Sequence, residues 1–184
     1  MSTNIYPTMA GADMRHAKDE DASPDWQRLN EMLPDFTGKS VLVLNCGNGW
    51  LCRQALALGA IGATGVDDDA ELISNARKQA GSARLRYRLI PSSFWGEMGG
   101  QFDIIVAANV SRSDAPHLAT IPRLLRRGHG TLAISGQPDA LNALQQAVHV
   151  TDQKPGSWHA SPAEFLPGGD VAIIMHRRRL YRKN

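Results

Sequence analysis

The stretch SVLVLNCGNGW, residues 40–50, followed by ATGVD at residues 63–67, decides the fold. The first run is apolar and β-branched up to its glycines, which is typical of a strand buried on both faces of a sheet. It ends in Gly47 and Gly49, which allow a tight turn. Residues 50–58 then have the pattern of a short helix, and the second run predicts another strand. We therefore expect a strand–turn–helix–strand unit with parallel strands.

The same alternation continues along the chain. Further helices are predicted at residues 25–33, 70–80, 117–127 and 138–148, and further strands at 84–90, 102–109, 131–135, 149–152 and 170–179. Strands that alternate with helices favour a mostly parallel sheet in an α/β protein. The last two strands are expected to pair antiparallel. Residues 152–169, rich in Pro and Gly, are interpreted as a long connection that could form a site loop.

Length and composition suit one domain. The chain has 184 residues, of which 42% are hydrophobic. Residues 1–24 are polar and are interpreted as an N-terminal arm, and residues 25–184 as a single domain. Lys+Arg number 20 and Asp+Glu 18, so the net charge favours no nucleic-acid partner. No apolar run predicts a signal peptide or a membrane span. The two cysteines, which lack a disulfide or zinc spacing, indicate a reducing, cytoplasmic setting.

The glycine turn and the acid after the second strand carry the chemical signal. A strand that ends in glycines and opens a helix presents backbone N–H groups to a ligand. Asp67, at the end of the next strand, can accept hydrogen bonds from both hydroxyls of a ribose. Together they predict an adenosine-containing ligand at the carboxyl edge of the sheet. A dinucleotide is disfavoured because its third glycine would fall at Cys52. The alternative is a tight packing turn with Asp67 as an ordinary surface acid.

Residues 32–77 resemble the opening of class I S-adenosylmethionine-dependent methyltransferases, especially the bacterial UbiE-like enzymes. FDIIVAANV at 102–110 and LLRRGHGTLAISG at 124–136 resemble the fourth strand of that family and its turn into the fifth. The resemblance implies a Rossmann-like, doubly wound, seven-stranded and mostly parallel sheet with a C-terminal antiparallel pair. It also implies S-adenosylmethionine as the cofactor and S-adenosylhomocysteine as the product.

Transferred by position, the resemblance implies a set of cofactor-binding residues. Gly47 and Gly49 would face the methionine part, and Asp67 would hold the ribose. Arg15, on the arm, would pair with the cofactor carboxylate, and Asn109 would border the transferred methyl group. The complete predicted set is Arg15, Asn45, Gly47, Gly49, Asp67, Asp68, Ser92, Ser93 and Asn109.

Three positions depart from the family pattern. Val43 replaces an acid in the first strand, Asn45 replaces the first glycine of the turn, and Ser92 and Ser93 stand where an acid usually meets the adenine amino group. Asn45 would narrow the turn unless it adopts a left-handed conformation, which asparagine tolerates. Each lost charge-assisted hydrogen bond would weaken binding by about 1.5–3 kcal/mol. The alternative to an enzyme is therefore a non-catalytic or repurposed methyltransferase-like subunit or binding module.

The leading functional prediction is methyl transfer from S-adenosylmethionine to a small-molecule acceptor. Catalysis would act mainly by proximity and alignment. No general base can be assigned. His117 is a weak candidate, and a histidine facing water at the start of a helix is the preferred interpretation.

The predicted partners follow from the segment after the fifth strand and from the basic residues at 176–184. After the fifth strand only one helix and the terminal strand pair are predicted, without the additional residues that the family resemblance implies for a lid over the substrate. We therefore expect an open pocket, which a protein partner or a second copy of the chain could complete. The basic end at 176–184 raises RNA methylation as a less favoured option. His149, His159 and His176 show no metal spacing, and no metal is predicted.

Overall fold

The computed structural model describes residues 23–126, 129–138 and 158–177. Several sequence predictions lie outside these ranges. They concern Arg15 with almost all of the arm, His149, the strand at 149–152, nearly all of the helix at 138–148, and the basic segment at 178–184.

Helices and strands alternate through most of the described chain. The α-helices are α1 (Pro24–Met32), α2 (Trp50–Ala57) and α3 (Ala70–Lys78), and two 3-10 helices span Ser92–Glu97 and Ala115–Leu124. The strands are β1 (Ser40–Leu44), β2 (Gly62–Asp67), β3 (Leu85–Leu89), β4 (Ile104–Val110), β5 (Thr131–Gly136), β6 (Trp158–Ala160), β7 (Glu164–Phe165) and β8 (Val171–Arg177).

These strands form one sheet in the order β3-β2-β1-β4-β5-β8-β6, with β7 also paired to β8. The first five strands pair in parallel, and β8 runs antiparallel to β5. This confirms the predicted α/β class and the mostly parallel sheet. From β1 the chain continues to β2 on one side, whereas β4 lies on the other side. This change of direction opens a crevice between the carboxyl ends of β1 and β4, where ligands of such sheets bind.

The C-terminal part of the sheet differs from the expectation in detail. The antiparallel partners of β8 in the described chain are β5, β6 and β7. Since β6 and β7 lie within the segment predicted as a connection, these two parts of the segment belong to the sheet. With them the sheet has eight strands in the described residues, where seven were expected. Strands of two or three residues are too short to leave a periodic signal in the sequence.

The helix predicted at 117–127 is a 3-10 helix over Ala115–Leu124. Pro116 and Pro122 lie in this segment, and a proline removes the N–H that an α-helix needs. The apolar spacing is preserved, because Leu118, Ile121 and Leu124 are buried. The predicted helix is therefore present as a 3-10 helix that starts two residues earlier and ends three residues earlier than expected, and its apolar face was identified correctly.

The two faces of the sheet bury separate apolar layers. Val41 and Val43 of β1 pack on one face, together with residues of α2, and Leu42 and Leu44 pack on the other. All four side chains are fully buried, as alternation along a central strand requires. The sheet is therefore covered on both faces, and its carboxyl edge remains available for a site.

The start of α1 is joined to the turn before β8. The Gly168 N–H donates to Asp25 Oδ1 at 2.6 Å. Asp170 follows that turn, and its buried Oδ2 has no hydrogen-bond partner in the part of the chain that the structure describes. Burial, and next the negative charge of Asp25, raise the pKa of the Asp170 carboxyl. The ionised form of Asp170 therefore lowers the free energy of unfolding.

Asp170→Asn is expected to stabilise the protein at pH 7 by about 1 kcal/mol, or about 2–4 °C in Tm. The folded pKa is raised, so the folded state retains a proton that the unfolded chain releases. Stability therefore falls as pH rises through the unfolded pKa of about 3.9 towards the raised folded value. Thermal unfolding at pH 7 and at pH 3 should show the gain at pH 7 only. Glu97→Gln, at an exposed carboxyl, is the control, and a lower Tm for Asp170→Asn at pH 7 would contradict the assignment.

Candidate functional site

The turn between β1 and α2 is built from residues with left-handed backbone. Asn45, Gly47 and Gly49 have φ angles of 53°, 57° and 82°. Asn45 adopts the conformation required for it to fit, as the sequence predicted. A Cβ on Gly49 would lie 2.6 Å from two ring carbons of Tyr87, so position 49 requires glycine. The Tyr87 hydroxyl donates to the Gly49 carbonyl at 3.2 Å and supports the turn from β3.

The carboxylate of Asp67 contacts this turn directly. The Gly47 N–H donates to Asp67 Oδ2 at 2.9 Å, and the Asp69 N–H donates to Oδ1 at 3.1 Å. The glycine turn and Asp67 are therefore in direct contact, and their shared role toward a ligand stays a prediction. Each carboxylate oxygen has two lone pairs and can accept more than one hydrogen bond. Asp67 has 0% exposed surface, and a sugar can reach it only if the crevice opens.

The other predicted residues near Asp67 occupy two different environments. Asp68 is exposed at the start of α3. Asp69 caps that helix, since its Oδ1 accepts from the N–H groups of Glu71 at 2.8 Å and Leu72 at 3.1 Å. Asp69 therefore acts as the N-cap of α3, a position that aspartate favours.

The remaining predicted residues lie after β3 and at the end of β4. Ser92 and Ser93 follow β3, and Asn109 is the second-last residue of β4. Ser92 is half-buried at the start of the first 3-10 helix, whereas Ser93 is exposed. Asn109 has a φ of 50° at an irregularity of β4, and its N–H donates to Ser135 Oγ at 3.3 Å. All three stand at the carboxyl edge of the sheet, as predicted.

Asp114, which the sequence reasoning missed, lies buried between these segments. Its Oδ2 accepts from the Ser111 N–H at 3.0 Å, from Ser111 Oγ at 2.8 Å and from Asn45 Nδ2 at 3.4 Å. Burial opposes its ionisation, but hydrogen bonds from Ser111, Ser92 and Asn45 outweigh burial and lower the pKa of Asp114. One signal in the sequence could have indicated a buried acceptor near the turn. Asn45 and Ser92, which both depart from the family pattern, have side chains that can donate hydrogen bonds.

His117 gains no support as a general base. It is half-buried in the second 3-10 helix, and its backbone N–H donates to the Asp114 carbonyl at 2.9 Å. Its imidazole takes part in none of the hydrogen bonds found among the described residues.

An open groove of about 360 Å³ lies beside the crevice, at the end of β3. Leu89 and Phe94 in its wall are about half exposed, and Arg88 and Glu97 supply charge. At the crevice itself, Asn45, Asp67 and Asp114 are buried. Sequence reasoning missed the groove, because the exposure of Leu89 and Phe94 is visible only in the folded chain.

Both cysteines pack beneath the glycine turn and are protonated. Burial raises the pKa of Cys52 to about 12. Burial, and next the neighbouring Cys52 and Asp67, raise the pKa of Cys46 well above its ordinary value. Neither thiol is therefore a nucleophile of the site, since thiolates are the reactive form.

The described ranges contain no group of three or more His, Cys, Asp or Glu side chains arranged to hold a metal ion. His159 and His176 face each other across β6 and β8, and His176 Nδ1 lies 3.0 Å from Thr131 Oγ1. No helix among these residues has the length and apolar character needed to cross a membrane.

Comparison with solved structures identifies the fold. A S-adenosylmethionine-dependent methyltransferase from Mesorhizobium loti superposes with a TM-score of 0.66 at 16% identity, over 85% of this chain and 99% of that chain. The magnesium protoporphyrin IX methyltransferase of Synechocystis, solved with bound S-adenosylmethionine, gives 0.67 at 12% identity, over 96% and 86%. The fold is therefore the class I methyltransferase fold that the sequence resemblance implied.

Curated relatives are methyltransferases as well. The chain is 32% identical over 102 residues to the ribosomal protein L11 methyltransferase of Shewanella amazonensis, covering 55% of this chain and 35% of the relative. It is 26% identical over 129 residues to that of Thermosipho melanesiensis, covering 70% and 50%. The chain thus spans between about a third and half of the length of these relatives. No family model matches it.

Proposed function

We propose that the protein is a S-adenosylmethionine-dependent methyltransferase. The observation that carries this proposal is the contact between the Gly47 N–H and the Asp67 carboxylate at the carboxyl edge of a class I methyltransferase fold. A glycine turn and an acid in contact can hold a nucleoside by its ribose hydroxyls, with the turn close to the rest of the ligand. The curated methyltransferase relatives support the same activity.

The groove at the end of β3 is a suitable site for the adenine ring. Leu89 is the register partner of Asp67, and the Ile90 N–H donates to the Asp67 carbonyl at 2.9 Å. A ribose held by Asp67 would therefore place its base near Leu89 and Phe94. An apolar wall with one aromatic ring favours a flat heterocycle. Ser92 and Ser93 lie next to this wall and can hydrogen-bond to the edge of the base.

The residues of this chain would act by positioning the cofactor and the acceptor rather than as a general acid or base. When bound, S-adenosylmethionine supplies a methyl group activated by a sulfonium. The thioether that leaves this methyl group needs no protonation. The turn, Asp67 and Asn109 would hold the ligand along the carboxyl edge of the sheet, with Asn109 closest to the incoming acceptor. Alignment of two reactants is sufficient to accelerate such a transfer.

The proposed acceptor is a small-molecule nucleophile. A protein acceptor is the second candidate, because the curated relatives are named as ribosomal protein methyltransferases. Incubation of a cell extract with methyl-tritiated S-adenosylmethionine and the purified protein separates the two. Label in the small-molecule filtrate supports the first candidate, and label retained on protein supports the second.

A non-catalytic module whose pocket no longer holds the cofactor productively is the competing function, and the complete burial of Asp67 favours it. Titration calorimetry with S-adenosylmethionine and S-adenosylhomocysteine tests the cofactor site on which the enzyme proposal depends. We expect saturable binding with Kd below about 1 mM for both ligands, and none for free methionine as the control. No heat of binding at millimolar ligand would contradict the enzyme proposal.

A further inference from the structure

Asp114 occupies the place where the fold directs a ligand. The crevice opens between the carboxyl ends of β1 and β4, where the strand order changes direction. Asp114 receives hydrogen bonds from Asn45, directly after β1, and from Ser111, directly after β4. Its carboxylate therefore lies between the ends of β1 and β4. Asp114 contacts the glycine turn on the β4 side, and Asp67 contacts the same turn on the β2 side.

The donors to Asp114 are all neutral. They are the backbone N–H and hydroxyl of Ser111, the amide of Asn45 and the hydroxyl of Ser92. No ion pair to Asp114 is found among the residues the structure describes. The hydrogen bonds from Ser111 and Asn45 all go to Oδ2, and each carboxylate oxygen has two lone pairs, so Oδ1 can accept a hydrogen bond from a ligand. A carboxylate that is 7% exposed usually has a cationic partner, because neutral donors compensate lost hydration incompletely.

Asp103 provides an internal comparison at the opposite edge of the sheet. Its Oδ2 accepts from the N–H and the hydroxyl of Ser40, both at 2.9 Å, as Asp114 accepts from Ser111. Asp103 also has a cation, since Arg126 Nε lies 2.8 Å from its Oδ1. The two aspartates thus share the same serine arrangement, and Asp114 lacks the cation.

We propose that Asp114 binds the primary ammonium group of the ligand's amino-acid portion, as a specificity-determining residue of the nucleoside site. The proposal rests on the proposed function, which places the ribose at Asp67. A ligand that extends from Asp67 across the turn reaches Asp114 on the β4 side. An ammonium brings the missing positive charge and three N–H donors, one of which can use Oδ1.

The experiment compares two ligands that differ in the amino-acid portion that carries this group. S-adenosylhomocysteine has the ammonium and lacks a sulfonium, and 5′-methylthioadenosine has neither. Titration calorimetry with Asp114→Asn should show affinity for S-adenosylhomocysteine reduced about tenfold to a hundredfold. Affinity for 5′-methylthioadenosine should stay within about twofold, because its nucleoside contacts are unchanged.

Asp103→Asn is the matched control, since it removes a carboxylate with the same serine contacts from the other edge. It should leave both affinities unchanged. If Asp114→Asn does not fold, Asp114→Glu retains the charge, and its ratio of the two affinities should remain within about threefold of wild type.

The outcomes separate the two proposals. Equal loss for both ligands, or no loss for either, overturns the role of Asp114 and leaves the proposed function standing. Loss for S-adenosylmethionine without loss for S-adenosylhomocysteine would assign Asp114 to the sulfonium and overturn the ammonium assignment. If the wild-type protein binds neither nucleoside, the proposed function fails, and the role of Asp114 fails with it.

Discussion

Asp67→Asn is expected to weaken binding of S-adenosylmethionine and S-adenosylhomocysteine at least about a hundredfold. Two hydrogen bonds from ribose hydroxyls to a carboxylate contribute about 1.5–3 kcal/mol each, and 1.4 kcal/mol corresponds to tenfold. The amide also cannot replace both oxygens, since Oδ1 and Oδ2 each accept a backbone N–H. Its NH₂ group would face one of these donors, so we also expect a loss of about 1–3 kcal/mol in the free energy of unfolding.

Calorimetry of folded Asp67→Asn, with folding checked by thermal unfolding, tests this expectation. Asp69→Asn is the control, because it removes a neighbouring charge and asparagine still caps α3. It should bind both ligands as the wild-type protein does. If Asp67→Asn retained wild-type affinity, the ribose would have to be placed elsewhere.

Gly136→Ala is expected to destabilise the protein by about 3–5 kcal/mol, the largest effect on stability that we predict. A Cβ at this position would overlap the Val110 carbonyl oxygen and lie 2.8 Å from the Val110 nitrogen. Val110 is the register partner of Gly136, directly after the irregularity that contains Asn109. Backbone cannot move aside as a flexible side chain can, so β4 and β5 must separate at the carboxyl edge.

Chemical denaturation measures this change. Gly99→Ala is the matched control, because a Cβ there has no heavy atom within 4 Å, and its stability should change by less than about 0.5 kcal/mol. Equal stabilities of the two variants would show that β4 and β5 are packed less closely at Gly136 than described.

Regular patterns in the sequence predicted the parallel part of the fold. Val41 to Leu44 form an apolar run because β1 is buried on both faces, and Asp67 was identified because β2 ends there. The contact of Asp67 with the turn follows from topology, since adjacent parallel strands end at the same edge. These features depend on residues that are close in sequence or on strands that are neighbours.

The features that sequence reasoning missed depend on contacts between distant segments. Asp114 is identified by donors from the ends of three strands, and no local pattern distinguishes it from a surface acid. The type of the helix at Ala115–Leu124 could not be predicted, because apolar spacing is similar in α-helices and 3-10 helices. The short strands β6 and β7 form only because β8 is beside them.

The two buried thiols give the protein a practical property for fluorescence work. The chain has two cysteines, and both are buried and protonated beneath the glycine turn. Alkylating dyes attack exposed thiolates, so the native protein offers them no target. A cysteine engineered into an accessible wall, such as the groove position of Phe94, would accept a dye selectively in the otherwise unaltered chain. Ligand entry could then be followed optically.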